Sequence, residues 1–292
     1  MRIGVCTTDF GTMPAAELFD RIRGYGFDTV QFSFADAAES GFVPSGQIEI
    51  PERIGDALVR LVAAEARRCR LPVGAVNGTF NAAHPDPAIR AEGVRRFEAL
   101  AAATAKLRCT VVTLCSGTRN PDYLWSPHAA NGEASAWSDM IGVMRALAAI
   151  AERHGITLAI ETEAANVIDT PEKARRAMAE VGSPRLKMVM DCANLFHVGE
   201  AKRANVDAAM RHAFALFGGD VVVAHGKDIR ESEGIDFCAT GEGIVDYALF
   251  ARLLAESRFS GDMMLHGIFD EEKMPAALAL MRRVCAAGRP ES

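Results

Sequence analysis

Four side chains suited to holding a divalent cation fall at or next to the ends of four successive apolar runs. Glu161 closes ITLAIE, Asp191 closes LKMVMD, His225 closes VVVAH, and His266 is the penultimate residue of MMLHG. An ionisable group at the edge of a buried run is costly without a partner. One such residue is an ordinary helix cap or ion-pair partner. Four of them on neighbouring strands would converge, and the two carboxylates would repel each other until a cation neutralised them. The alternative is four independent polar residues on one loop face.

What positions them must be a set of parallel strands. Short β-branched runs alternate with longer amphipathic stretches from one end of the chain to the other. Strands are predicted over 2–6, 29–34, 73–77, 110–115, 156–161, 186–191, 221–225 and 263–267. Helices are predicted over 15–25, 53–70, from Pro87, over 135–154, from Pro171, and over 206–217, 246–257 and 275–287. Asp86-Pro87 and Thr170-Pro171 each pair a capping residue with a proline at the first helical position. Strict strand–helix alternation implies parallel strands with helical crossovers. Eight such pairs without a linker favour one closed (β/α)₈ TIM barrel domain over 1–292, rather than an open sheet. No GxGxxG follows the first strand, which removes the usual sign of a dinucleotide fold. The segments 34–51 and 117–134 exceed ordinary loop lengths. Both follow strands, on the face where barrels carry active sites.

Composition narrows the partner. The 292 residues are 49% hydrophobic and 24% charged, with a formal net charge of −6, so a polyanion such as DNA is not the expected ligand. No apolar run reaches the ~20 residues that a membrane span needs. The N-terminus lacks a signal-peptide pattern, which makes the cytoplasm the expected location. Seven scattered cysteines with no CxxC pair read as reduced core residues.

The segment ITLAIETEAANVIDTPEKARRAMAEVGSPRLKMVMDCAN at 156–194 resembles the centre of the sugar isomerase/epimerase barrels of the xylose-isomerase-like superfamily. The later HGKD (225–228) and GEG (241–243) segments carry the same resemblance. It implies one divalent metal held by Glu, Asp, His and Glu after strands five to eight. Glu161, Asp191 and His225 match the first three positions, and His266 stands where the family has Glu. Two carboxylates and two neutral imidazoles leave a dication site with no net charge. Imidazole also shifts preference toward manganese, zinc or cobalt and away from magnesium. Family epimerases use two glutamates as acid/base groups. Here Glu161 matches one, while His266 either takes the second role or binds the metal.

The resemblance implies a small sugar or polyol as substrate, isomerised or epimerised through an enediolate. An inosose-dehydratase-like lyase and a non-catalytic sensing barrel are the alternatives. Asn77, Asn194 and Lys227 are candidate substrate contacts; their bland readings are a loop amide, a turn residue and an ion-pair partner. Glu163 is a candidate outer partner of the metal site, and Trp125 a candidate sugar-stacking ring. Endonuclease-like hydrolysis would need a three-metal cluster, and strands ending in Cys6, Ser33, Asn77 and Cys115 do not supply one. A homo-oligomer is compatible with all of these.

Overall fold

The computed structural model describes residues 1–287; the last five residues of the predicted 1–292 domain lie outside it. Eight parallel strands close into a barrel. In chain order they are β1 (Ile3–Cys6), β2 (Thr29–Phe32), β3 (Val73–Asn77), β4 (Val111–Cys115), β5 (Thr157–Glu161), β6 (Leu186–Asp191) and β7 (Val221–Gly226). A two-stranded antiparallel hairpin, β8 (Asp228–Ile229) and β9 (Phe237–Cys238), follows, and β10 (Asp262–Leu265) closes the ring against β1 and β7. The TIM barrel expected from the alternation is therefore present. The hairpin was not foreseen, because strands of two residues leave no periodicity to read.

The helices are α1 (Ala15–Tyr25), α2 (Asp56–Cys69), α3 (Pro87–Lys106), α4 (Ala134–His154), α5 (Pro171–Val181), α6 (Arg203–Phe217), α7 (Tyr247–Glu256) and α8 (Met274–Ala287). Both predicted caps form: Asp86 accepts the Ala88 amide and Thr170 the Lys173 amide, each ahead of its proline. No helix among the described residues is long and apolar enough to cross a membrane. Cys6, Cys69, Cys109, Cys115, Cys192 and Cys238 are buried thiols, as their scatter implied.

The barrel interior explains how the mouth is built. Cys6, Ala75, Ala159, Val189, Val223 and Met264 form a small cluster of their own, apart from the large core that packs strands against helices. Side chains in a strand alternate faces, so residues two apart share one. Glu161, Asp191, His225 and His266 each lie two positions beyond a member of that cluster. The same parity gives the inner plug and, one layer higher, the polar floor of the mouth. Room inside is tight. A Cβ on Gly4 would sit 2.6 Å from the Met264 sulfur and from Thr29.

Candidate active site

Three of the four cation-binding candidates meet. Glu161, Asp191 and His225 each offer a ligand atom within 4.8 Å of the other two, and all three residues are buried. His225 Nδ1 is 3.3 Å from Glu161 Oε1 and 3.7 Å from Asp191 Oδ2. Asp191 Oδ1 accepts the Ala193 amide at 2.9 Å, whereas Oδ2 is buried with no hydrogen-bond donor. A carboxylate oxygen left bare beside a second carboxylate and an imidazole suits a divalent cation, and this donor set fits one.

The charges are tightly coupled. Burial opposes a positive His225, but the Glu161 and Asp191 carboxylates outweigh it and lift its pKa to about 9. Burial also opposes ionisation of Asp191, yet Lys227 and His225 hold its carboxyl below the usual range. Lys227 Nζ sits 3.7 Å from Asp191 Oδ2 and 3.8 Å from the centre of the Phe237 ring. Burial works against its charge too, and Asp191 with Glu163 more than restores it. Glu163, two residues past Glu161, is pushed by burial up to about 7, with Lys227 pulling the other way.

Gln31 was not singled out in the sequence. Its Oε1 lies 3.0 Å from His225 Nε2. A proton on Nε2 directed at Gln31 leaves Nδ1 free for a cation, the usual way an outer partner fixes an imidazole tautomer. Only its parity with Ser33 on the strand predicted over 29–34 could have flagged it.

His266 stands apart from the three. Its ring centre is 5.4 Å from that of His225, but its Nδ1 is 3.3 Å from Asp9 Oδ1. Asp9 also accepts the Gly267 amide at 3.1 Å and the Ile268 amide at 2.9 Å. With β10 ending at Leu265, His266 lies just past the strand, where Asp9 captures both its ring and the backbone that follows. The expected fourth corner of the cluster is thus a histidine tied to a buried aspartate from the other end of the chain.

A cavity of about 490 Å³ opens above this floor. Asn77, Asn194 and Lys227 all line it, together with Glu163 and Trp125. Asn194 Nδ2 donates to Glu161 Oε1 at 2.7 Å, and its Oδ1 is buried without a partner. Asn77 Nδ2 donates at 3.0 Å to Glu49, and the Trp125 indole N–H donates to the same carboxylate at 3.0 Å. Glu49, which sequence patterning did not distinguish, comes from the long segment after β2. Tyr123, Phe237 and Phe269 complete the rim with aromatic surface.

The profile of the family described as xylose isomerase-like TIM barrel matches residues 19–284. No curated protein matches the chain by sequence. Solved structures do match in fold. The IOLI protein with a bound zinc atom is 17% identical, with a TM-score of 0.74 and all of both chains covered. D-psicose 3-epimerase from Clostridium cellulolyticum H10, solved with D-tagatose, is 16% identical with a TM-score of 0.72, covering 98% of this chain and 99% of that one. An L-ribulose 3-epimerase is 20% identical with a TM-score of 0.70, covering 99% and 95%.

Proposed function

The chain belongs to the xylose isomerase-like TIM barrel family, and from that premise we propose that it is a metal-dependent isomerase or epimerase of a neutral sugar or polyol. The observation that carries this is the buried Glu161–Asp191–His225 cluster, with an Asp191 oxygen that accepts no hydrogen bond, at the floor of a polar cavity. Glu161, Asp191 and His225 hold one divalent ion per chain, and zinc, manganese or cobalt suits this nitrogen-containing set better than magnesium. When bound, such an ion would supply Lewis acidity, polarising a substrate carbonyl and acidifying the C–H next to it.

The chain's own groups then do the rest. Glu161 and His266 take and return the proton, and Asp9 fixes the direction of the His266 ring. Asn194 and Lys227 hold substrate oxygens, while the walls around them exclude water. Taking the proton from one carbon and returning it to its neighbour, or to the opposite face of the same carbon, isomerises or epimerises the sugar through an enediolate. Loss of a β-hydroxyl from the same species gives dehydration. Lys227 is the only lysine or arginine among the residues lining the cavity, against Glu49, Glu161 and Glu163, so a neutral sugar is favoured over a phosphate dianion.

Metal analysis with isotope exchange tests this. The metal-loaded protein is incubated in D₂O with D-psicose, D-tagatose, D-fructose, L-ribulose and their phosphate esters, and deuterium next to the carbonyl is read by NMR. About one ion per chain and chelator-sensitive exchange into a neutral sugar are expected. A protein that holds no ion, or that loads its ion and exchanges nothing across the panel, refutes the reading.

A further inference from the structure

One cavity carboxyl has no task in that chemistry. Glu49 is held firmly. Its amide donates to Thr79 O at 3.0 Å, and Ile48 forms an antiparallel bridge with Phe80, so the segment lies along the chain leaving β3. Asn77 Nδ2 and Trp125 Nε1 each donate to a different oxygen of its carboxylate. A carboxylate has about four acceptor positions, so two remain, on a group that lines the cavity.

The chemistry of that placement is unusual for a merely structural residue. No Lys or Arg pairs with Glu49 among the described residues, and burial raises its pKa, with Asn77, Trp125 and the field of His266 opposing. A neutral acceptor would serve as a clamp for the two donors at less desolvation cost than a carboxylate. An ionisable group kept there without a cation marks a place where a ligand supplies the missing donors. The location agrees. In the closed ring, β3 is four strands from β7, so Asn77 and its partner Glu49 face His225 across the mouth.

We propose that Glu49 is a substrate-binding residue that accepts hydrogen bonds from hydroxyl groups at the end of a neutral polyol remote from the Glu161–Asp191–His225 cluster. This rests on the reading that the cavity takes a neutral sugar, and it adds the wall that selects the hydroxyl pattern. A sugar bearing an anionic group at that end is rejected, because it meets the Glu49 carboxylate.

The test is calorimetric binding of D-psicose, D-tagatose, D-fructose and L-ribulose to metal-loaded wild type and to Glu49→Gln, with metal content and melting temperature measured on both. Glu49→Gln is expected to keep its metal and to lose no more than about 10 °C in melting temperature, since its NH₂ faces one of the two donors that the carboxylate satisfied. It should bind the preferred sugar at least about tenfold more weakly, the scale of a lost hydrogen bond to a charged group. In ¹⁵N spectra the sugar should move the Trp125 indole signal and not that of Trp137, whose N–H is bonded to Glu180. Should Glu49→Gln fail to fold, Glu49→Asp keeps the charge, withdraws it from the cavity, and is read by the same comparison. Unchanged affinity in the folded variant, or a still Trp125 signal on sugar binding, overturns the assignment while leaving the metal-dependent reading intact. A wild-type protein that holds metal and binds none of the sugars overturns the reading of function, and this assignment with it.

Discussion

Asp228 offers the most direct test of how the loop carrying Lys227 is held. Its buried carboxylate accepts four backbone amides. Ile229 and Val245 donate to Oδ1 at 2.9 and 3.1 Å, and Gly241 and Gly243 donate to Oδ2 at 2.9 and 3.0 Å. The HGKD and GEG segments are thus two halves of one construction. Asp228→Asn keeps one oxygen and turns an NH₂ toward two N–H donors. Hydrogen bonds to a charged acceptor contribute roughly 1.5–3 kcal/mol each, so losing two costs about 3–6 kcal/mol. At roughly 2–4 °C per kcal/mol for a chain of this order of size, the melting temperature should fall by about 6–24 °C. Gly243→Ala should destabilise in the same range, because its Cβ would lie 2.2 Å from Asp228 Oδ1 and 2.3 Å from Ile229 O. Circular dichroism melts and urea titrations of metal-free protein read both. An Asp228→Asn variant within about 1 kcal/mol of wild type would refute the account.

Three further outcomes are expected. Asp36 is a buried acid whose pKa burial raises to about 7, with the Thr7 hydroxyl opposing. The folded state therefore holds that proton more tightly than the unfolded chain, and stability falls as pH rises from about 4 to 7. Asp36→Asn removes this penalty, so its melting temperature should gain on wild type by several degrees between pH 4.5 and 8.5; a pH-independent difference counts against it. Because the metal-free His225 has a pKa of about 9, an incoming cation must displace its proton at neutral pH. Calorimetry at pH 7 in buffers of different ionisation enthalpy should show about one proton released per ion, and an affinity falling roughly tenfold per unit as pH drops below 9. Zero protons released would show that His225 is not the ligand. Finally, Asp191→Ala should lose stoichiometric metal, whereas His266→Ala should keep it and lose turnover; loss of metal from His266→Ala would make His266 a ligand.

The barrel and its floor were legible because both rest on short-range periodicity. Apolar runs separated by capped helices gave the ring, and the parity that buries Ala159, Val189 and Val223 also aims Glu161, Asp191 and His225 at the mouth. What could not be read was any partnership across the ring. Gln31 and His225 are 194 positions apart and Asp9 and His266 are 257 apart, and no local pattern marks either pair. Glu49 was hidden for a different reason. It lies in a long segment without periodicity, and its direction is set by Thr79 and Phe80 after β3 rather than by its own neighbours. Asn77 and Trp125, candidates from the sequence, line the cavity, and their donor groups serve that carboxylate.

The seam between β1 and β10 governs when this protein can be born folded. Ile3, Gly4 and Val5 pair with Met263, Met264 and Leu265, and Arg2 grips Asp262 through two bonds spanning 260 positions. While the chain is still emerging from the ribosome, β1 and β7 are open edges, each a template for pairing with another molecule. The last strand to be synthesised seals both. It also delivers His266, Gly267 and Ile268 to an Asp9 that was made first, so the mouth is finished only as the ring shuts. A chain that lacks β10 therefore leaves both β1 and β7 unpaired on one side.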